Sequence, residues 1–175
     1  MELKFLNPHK VLHSTGLNNG EVVVDFGAGS GFFVIEAAKM VGKSGHVYAV
    51  DVLEKPLEHI SSEARIKHLT NVKTIRHDLE KGEIKPIPSG VAHVLVISNV
   101  LHQLKNPVNA LSEAYRILKT SGKLLVIDWT KDHVIGPKVK QITSDEVKSV
   151  VQKFGFKFES ETETDKFHYG LIFIK

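Results

Sequence analysis

The sequence predicts an α/β fold built on a doubly wound, mostly parallel sheet, and three observations support this prediction. Short apolar segments alternate with segments of helical periodicity along the 175 residues. The first of these apolar segments runs directly into a glycine-rich turn at 27–31. The last two, 156–160 and 167–175, are joined by a short acidic turn and must pair antiparallel. We therefore expect seven strands, with one antiparallel strand near the C-terminus.

The strands are predicted from their apolar runs. Three consecutive valines at 22–24 are typical of a strand that is buried on both faces. The run Leu95-Val96-Ile97 indicates a central position in a parallel sheet. Strands are expected at 21–26, 46–51, 71–78, 91–98, 122–128, 156–160 and 167–175.

The helices are predicted from apolar periodicity and from capping residues. Asn106 followed by Pro107 is typical of a helix start, and Thr143 with Glu146 forms a capping box. Helices are expected at 9–17, 30–41, 54–69, 106–118 and 143–155, whereas 129–142 is predicted to be a long polar loop.

Length, composition and charge favour a single domain over 1–175, in which residues 1–19 are a lead-in that is able to cover a substrate or cofactor site. The absence of cysteine excludes disulfides and thiolate chemistry and is compatible with a reducing compartment, so we expect a cytoplasmic location. No segment predicts a signal peptide or a membrane span. The net charge of +3 comes from scattered lysines, so no nucleic-acid partner is expected, and no histidine spacing predicts a metal site.

The glycine turn predicts a nucleotide-type pocket. Gly27, Gly29 and Gly31 follow the first strand at alternate positions, where missing side chains and bare N–H groups admit a ligand closely. The dinucleotide fingerprint G-x-G-x-x-G requires glycine where this chain has Phe32, and no P-loop motif is present. The ligand is therefore not predicted to be a dinucleotide.

Polar residues end the neighbouring strands. Asp51, after the second strand, is positioned to accept hydrogen bonds from ribose hydroxyls, or to cap the helix that follows it. Asp78 repeats this arrangement after the third strand, either facing an adenine amine or acting as a cap. Ser98 and Asn99 end the fourth strand and should face the glycine turn across the crevice where strand order reverses.

Together these segments resemble class I S-adenosylmethionine-dependent methyltransferases. Segment 25–31 is similar to the first motif of that family, and 47–51 to its acidic second-strand motif. Segments 98–104, 110–122 and 124–129 resemble the small-molecule group that includes the ubiquinone/menaquinone-type C-methyltransferases. The resemblance covers residues 20–128 and implies one Rossmann-like methyltransferase domain.

The resemblance implies an enzyme that binds S-adenosylmethionine and moves its methyl group to a small-molecule acceptor by in-line displacement, leaving S-adenosylhomocysteine. The implied cofactor residues are Asp25, Gly27, Ala28, Gly29, Ser30 and Gly31 for the methionine portion, Asp51 for the ribose, Val52, Asp78 and Leu79 for the adenine, and Ser98 and Asn99 for the methionine amine.

The chain departs from the family pattern in two places and lacks two of its specialised motifs. Ala92-His93 stands where relatives often have an aspartate, and Thr120-Ser121-Gly122 where they often have Pro-Gly-Gly. Segment 98–101 is not the Asn/Asp-Pro-Pro-aromatic motif of amino-group methyltransferases, and arsenite methylation relies on cysteines, so neither activity is expected.

A general base is needed only if the acceptor arrives protonated. His102 is the first candidate because it follows the fourth strand and an imidazole titrates near neutral pH; alternatively it packs or caps a helix start. Trp129, Lys131 and His133 fall in the predicted substrate loop. His9 and His13 lie in the lead-in, which is able to cover the site. His168 and Tyr169 are interpreted as structural residues of the last strand.

Three other functions compete with small-molecule methylation. The first is a non-catalytic S-adenosylmethionine-binding or partner-binding module, and the second is a macromolecule methyltransferase. The third is an NAD-linked oxidoreductase, which Phe32 disfavours. The oligomeric state and the atom that receives the methyl group stay open.

Overall fold

The computed structural model describes residues 6–130 and 141–175, which contain one mixed seven-stranded sheet. Its strands are β1 (Val22–Phe26), β2 (His46–Asp51), β3 (Val72–Arg76), β4 (Ala92–Ser98), β5 (Leu118–Trp129), β6 (Lys157–Thr162) and β7 (His168–Ile174). They lie in the order β3-β2-β1-β4-β5-β7-β6. Among these strands β7 alone runs in the direction opposite to the other six, which confirms the predicted fold class.

The helices begin close to the predicted positions. They are α1 (Pro8–Ser14), α2 (Phe32–Val41), α3 (Glu54–Ile66), α4 (Val108–Ile117) and α5 (Ser144–Gln152), and a short 3-10 helix spans Leu101–Gln103. The predicted capping box at α5 is present, since the Thr143 side chain accepts from the Glu146 N–H and the Glu146 carboxylate accepts from the Thr143 N–H. The Asn106 side chain accepts a hydrogen bond from the Val108 N–H, so α4 starts two residues later than predicted.

The sheet separates two hydrophobic cores because strand side chains alternate between its faces. One face, which we call the α2 face, is covered by α1, α2 and α3, and the α4 face is covered by α4 and α5. Along β5, Leu125 and Ile127 belong to the α2 face, whereas Leu124 and Val126 belong to the α4 face. No helix in the described ranges is both long and apolar enough to cross a membrane.

Gly31 lets α2 and α3 pack closely. It precedes α2 with a φ of 81°, a backbone conformation that favours glycine. A Cβ atom at this position would lie 2.6 Å from Cγ1 of Ile60 on α3, whose side chain is fully buried. The glycine is therefore required by packing between helices as well as by backbone conformation.

Replacing Gly31 should lower stability more than replacing a glycine that is required only by its left-handed backbone conformation. Gly82 has a φ of 75° and no atom within 4 Å of its virtual Cβ, so Gly82→Ala should cost about 1 kcal/mol. Gly31→Ala adds a clash in a packed core and should cost ~2–4 kcal/mol in urea unfolding. Equal losses for the two variants would mean that Ile60 moves aside freely.

Candidate functional site

Two connected cavities lie at the carboxyl ends of β1, β2 and β4, where strand order reverses. The glycine-turn cavity has a volume of about 400 Å³ and the Asp51 cavity about 410 Å³. Both are lined by Gly27, Gly29, Ser98 and Asn99, so the two spaces meet at the glycine turn. This is the crevice in which open α/β sheets bind ligands.

Eleven of the twelve cofactor residues implied by the resemblance line these two cavities. Besides the four shared residues, the glycine-turn cavity is lined by Asp25, Ala28 and Ser30. The Asp51 cavity is lined by Asp51, Val52, Asp78 and Leu79. Gly31 lines neither of them and contacts α3 instead. The chain therefore brings together, around one crevice, residues that are separated by up to 74 positions in the sequence.

The expectation that the glycine turn bares its N–H groups is wrong for three consecutive residues. The Gly27 and Ala28 N–H groups donate to the Val50 carbonyl over 2.8 and 3.0 Å, and the Gly29 N–H donates to Asp51 Oδ2 over 2.9 Å. These three N–H groups are therefore bonded to the end of β2 and are not available to a phosphate group.

The glycines of the turn serve different purposes. A Cβ at Gly27 would lie 2.2 Å from Val100 Cγ2, so this glycine is required by protein packing. A Cβ at Gly29 would meet no atom closer than the Gly27 carbonyl oxygen at 3.9 Å. Since Gly29 lines both cavities, its missing side chain leaves room for a ligand where the two spaces join.

The cavities are lined by carboxylates. Asp25, Asp51, Asp78 and Asp165 line one or the other, and no lysine or arginine does so among the described residues. Asp25 is 3% exposed, and no described group hydrogen-bonds to its carboxyl. Burial, and secondly the charge of Asp51, raises the pKa of Asp25 to about 7. A cationic ligand would relieve both effects.

Asp51 connects three elements of the site. Its Oδ1 accepts from the Leu53 N–H and its Oδ2 from the Gly29 N–H, each over 2.9 Å. The bond to Leu53 orders the residues just before α3, but the N-cap of this helix is Leu53 and no N–H of its first turn donates to Asp51, so the capping alternative is wrong. Each carboxylate oxygen keeps a further lone pair, so the same side chain is able to accept from ribose hydroxyls.

Asn99 is strained and incompletely bonded at the junction of the cavities. Its φ of 57° lies in the left-handed region, which asparagine tolerates better than most residues. Its buried Oδ1 has no hydrogen-bond partner among the described residues, although nearly all buried polar atoms in proteins are paired. Its Nδ2 lies 3.4 Å from Nε2 of His168.

His102, the first candidate for a base, lies on the α4 face. Its ring is buried, and Nδ1 lies 2.6 Å from Oδ1 of Asp128. His102 lines a smaller cavity with Ile142 and Glu146 and lines neither of the two cavities at the glycine turn. Its role as a base stays a prediction.

The sequence-based interpretation missed an acid–imidazole pair in the glycine-turn cavity. His168 Nδ1 lies 2.8 Å from Asp165 Oδ1, and the His168 and Trp129 rings are 4.1 Å apart between centroids. The Leu6 N–H donates to Asp165 Oδ2 over 2.9 Å, which brings the lead-in to the cavity wall. The pairing of β7 with β5 places His168 beside Trp129, whereas its acid partner lies three residues earlier, an Asp-x-x-His spacing that is visible in the sequence.

The other candidates from the sequence lie elsewhere. His9 hydrogen-bonds to Glu36 and lines neither cavity. Lys131 and His133 fall outside the described residues. Within 6–130 and 141–175, no group of three His, Asp or Glu side chains is arranged to hold a metal ion.

Solved structures share this fold over nearly the whole chain. A SAM-dependent methyltransferase from Aquifex aeolicus is 29% identical with a TM-score of 0.88, covering 98% of this chain and 91% of that one. The cyclase SpnF, at 16% identity and a TM-score of 0.81, covers 96% of this chain and 79% of its own. The latter likeness concerns the fold alone.

Curated relatives match two thirds of this chain. The ubiquinone/menaquinone biosynthesis C-methyltransferases UbiE of Escherichia fergusonii and of an Enterobacter species are each 26% identical over 117 residues. The match covers 67% of this chain and 46% of each relative, so the chain spans about half the length of these proteins.

A family model described as a methyltransferase domain matches residues 17–169, which is most of the chain. The matched segment contains the glycine turn, the strand-end acids and His168. Together with the Aquifex aeolicus structure, it confirms the resemblance on which the cofactor residues were assigned. The chain therefore belongs to the methyltransferase-domain family, as a class I, S-adenosylmethionine-dependent member.

Proposed function

We propose that this chain holds S-adenosylmethionine across its two connected cavities and transfers the methyl group to a small-molecule acceptor by in-line displacement. One observation carries the proposal: among the described residues, carboxylates line the crevice without any lysine or arginine. Such a lining favours a ligand with positive charges and disfavours the pyrophosphate of a dinucleotide. The occupied N–H groups of the glycine turn support the same choice.

The Asp51 cavity fits a nucleoside. Asp51 retains lone pairs for the ribose hydroxyls, as described above. Val52 and Leu53, which are 50% and 61% exposed, line this space together with Leu79. A flat adenine would cover these surfaces, with Asp78 at its edge.

The glycine-turn cavity fits the methionine portion. The Asp25 carboxyl and Asn99 Oδ1 are two buried acceptors without a donor in the described chain. An ammonium group supplies three donors and a positive charge, which suits the Asp25 carboxyl that lines this cavity. When bound, S-adenosylmethionine supplies a methyl group on a positively charged sulfur, and the protein's part is to hold the acceptor close and in line.

The remaining wall of the glycine-turn cavity supports a small, apolar acceptor. Leu6, Phe32, Phe33 and Trp129 line it, and Phe32 is 55% exposed at the start of α2. A cavity of about 400 Å³ suits a small ligand. The relatives named for ubiquinone and menaquinone biosynthesis support a small-molecule acceptor as well.

The buried Asp25 should make ligand-free stability fall as pH rises. Its pKa is raised from 3.8 to about 7, so between these values the native protein binds a proton that the unfolded chain has lost. Stability from this group is present below 3.8 and lost as pH approaches 7. In urea unfolding, the advantage of Asp25→Asn over wild type should therefore grow by up to about 1.4 kcal/mol per pH unit from about pH 5 to 7.

Asp165→Asn is the matched control, and its effect on the free energy of unfolding should have the opposite sign. Burial acts to raise the pKa of Asp165, but hydrogen bonds from the His168 ring and the Phe167 N–H lower this pKa below its usual value. This variant should lose stability at neutral pH, where wild-type Asp165 is ionised. An Asp25→Asn advantage that stays constant with pH would contradict the assignment.

Calorimetric titration of the cofactor tests the site itself. Wild type should bind S-adenosylmethionine and S-adenosylhomocysteine but not NAD. Asp51→Ala removes the ribose acceptor and a bond to the glycine turn, and it should weaken S-adenosylhomocysteine binding at least ~tenfold, or about 1.4 kcal/mol. Glu54→Ala, an exposed acid nearby, is the control and should leave the affinity unchanged. Binding of NAD alone would overturn the proposal.

Methyl transfer is tested by a screen against phenols, quinol precursors, amines and a mixed RNA and protein extract. Formation of S-adenosylhomocysteine should require a small molecule, and mass spectrometry should find one added methyl group on it. Methylation confined to RNA or protein would replace the small-molecule proposal. Cofactor binding without turnover on any acceptor would favour a non-catalytic module.

A further inference from the structure

We propose that His168 is the general base of this site and that the acceptor is an aromatic hydroxyl compound whose proton His168 removes. Asp165 is a positioning residue in this proposal, since it acts through the imidazole ring. The inference rests on the proposed function and extends it to the acceptor side of the cavity.

The contacts of His168 fix which ring nitrogen is free to accept a proton. Its Nδ1 lies 2.8 Å from Asp165 Oδ1, and an ionised carboxylate only accepts hydrogen bonds. Nδ1 must therefore carry the hydrogen in the neutral ring, which leaves the lone pair on Nε2. Asn99 Nδ2, at 3.4 Å, is a donor toward this lone pair when Nε2 carries no hydrogen, and an acceptor hydroxyl would take its place.

Asp165 is held in place by further bonds. The Leu6 N–H donates to its Oδ2 over 2.9 Å and the Phe167 N–H to its Oδ1 over 2.8 Å. Its side chain is 3% exposed and that of His168 is 8% exposed. The acid is thus fixed by three donors, counting the His168 ring, and it restricts the imidazole to one orientation.

The surroundings of His168 point to the class of acceptor. Trp129 stacks on its ring at 4.1 Å between centroids and 37° between planes. Phe32 and Phe33 line the same cavity, so an aromatic ring has three aromatic neighbours there. A hydroxyl on that ring is the group for which a neutral imidazole is a suitable base.

The two histidine–aspartate pairs differ in the face that they occupy. Asp128 and Trp129 are consecutive on β5, so their side chains lie on opposite faces of the sheet. His102 bonds to Asp128 on the α4 face, whereas His168 stacks on Trp129 and lines the same cavity as Asp25 and Gly29. Only the second pair opens into the candidate cofactor crevice.

The reaction balances with these groups alone. The acceptor O–H bond breaks and its proton passes to Nε2 of His168. The oxygen lone pair forms a bond to the methyl carbon while the sulfur–methyl bond breaks, and its electron pair remains on sulfur. The imidazolium, paired with the Asp165 carboxylate, then returns its proton to water.

The tautomer of His168 tests the proposal without any acceptor turnover. In ¹⁵N-histidine-labelled protein saturated with S-adenosylhomocysteine, the neutral His168 ring should carry its hydrogen on Nδ1. Addition of phenol should shift the Nε2 resonance, because the phenol O–H donates to it. A hydrogen on Nε2, or an Nε2 resonance that saturating phenol leaves unmoved, would overturn the proposal.

Variants test the same assignment kinetically. With the phenol that is turned over best, His168→Gln should lower the single-turnover rate at least ~100-fold and keep S-adenosylhomocysteine affinity within about twofold. Asp165→Asn should move the pH at which the rate is half its maximum. Besides His168, the titratable groups that line this cavity in the described chain are Asp25 and Asp165. His9→Gln, at an exposed histidine that lines neither cavity, is the control and should leave the rate unchanged.

Each outcome has a distinct meaning. If His102→Gln abolishes turnover and His168→Gln does not, the proposal is wrong and the expectation from the sequence is supported. If phenol binds beside S-adenosylhomocysteine and products carry the methyl group on carbon or nitrogen, the hydroxyl class is wrong. If wild type binds no S-adenosylhomocysteine, the proposed function itself fails.

Discussion

The site depends on the Asp51 carboxylate, which ties the end of β2 to the turn that follows β1. It accepts hydrogen bonds from the Gly29 and Leu53 N–H groups, and the Val50 carbonyl beside it accepts two more from the turn. These bonds remove the donors that would otherwise attract anions, while they leave a carboxylate in the crevice. The charge of Asp51 also acts on buried Asp25. The proposed preference of this crevice for cations over phosphates therefore rests in large part on the end of β2, where the Val50 carbonyl and the Asp51 carboxylate occupy these donors.

Alternation along β5 and β7 determines which polar groups reach the crevice. Asp128 and Trp129 face opposite sides of the sheet, and each meets a histidine on its own side. The described residues thus include two buried imidazole–carboxylate pairs of similar geometry, at 2.6 and 2.8 Å. Their difference is topological: His102 lines a smaller cavity on the α4 face, between segments 101–107 and 141–150, and His168 lines the glycine-turn cavity. Proximity in the sequence to the end of β4 favoured His102, whereas the pairing of β7 with β5 favours His168.

The sequence predicted the parts of the molecule that depend on short segments. A strand followed by a glycine turn, or by an acid, is visible within about ten residues, and this information sufficed for the sheet and for the lining by Asp25, Asp51 and Asp78. Contacts between distant segments were not predictable in this way. The family resemblance assigned Gly31 to the ligand, but its contact with Ile60 comes from the packing of two helices and was not predictable from that motif. His168 was assigned a structural role because its neighbours come from the register of an antiparallel strand.

Unfavourable features are concentrated where the two cavities meet. Asp25 is buried without a donor in the described chain, Asn99 has a left-handed backbone, and Asn99 Oδ1 lacks a partner. Each feature lowers the stability of the protein alone. Among the described residues, the other buried side-chain atom without a partner is His102 Nε2, beside a smaller cavity on the α4 face. Defects of packing would be scattered through the sheet. Asp25, Asn99 and Gly29 instead line one cavity, and a positively charged, hydrogen-bond-donating ligand there would supply the donor that the Asp25 carboxyl lacks.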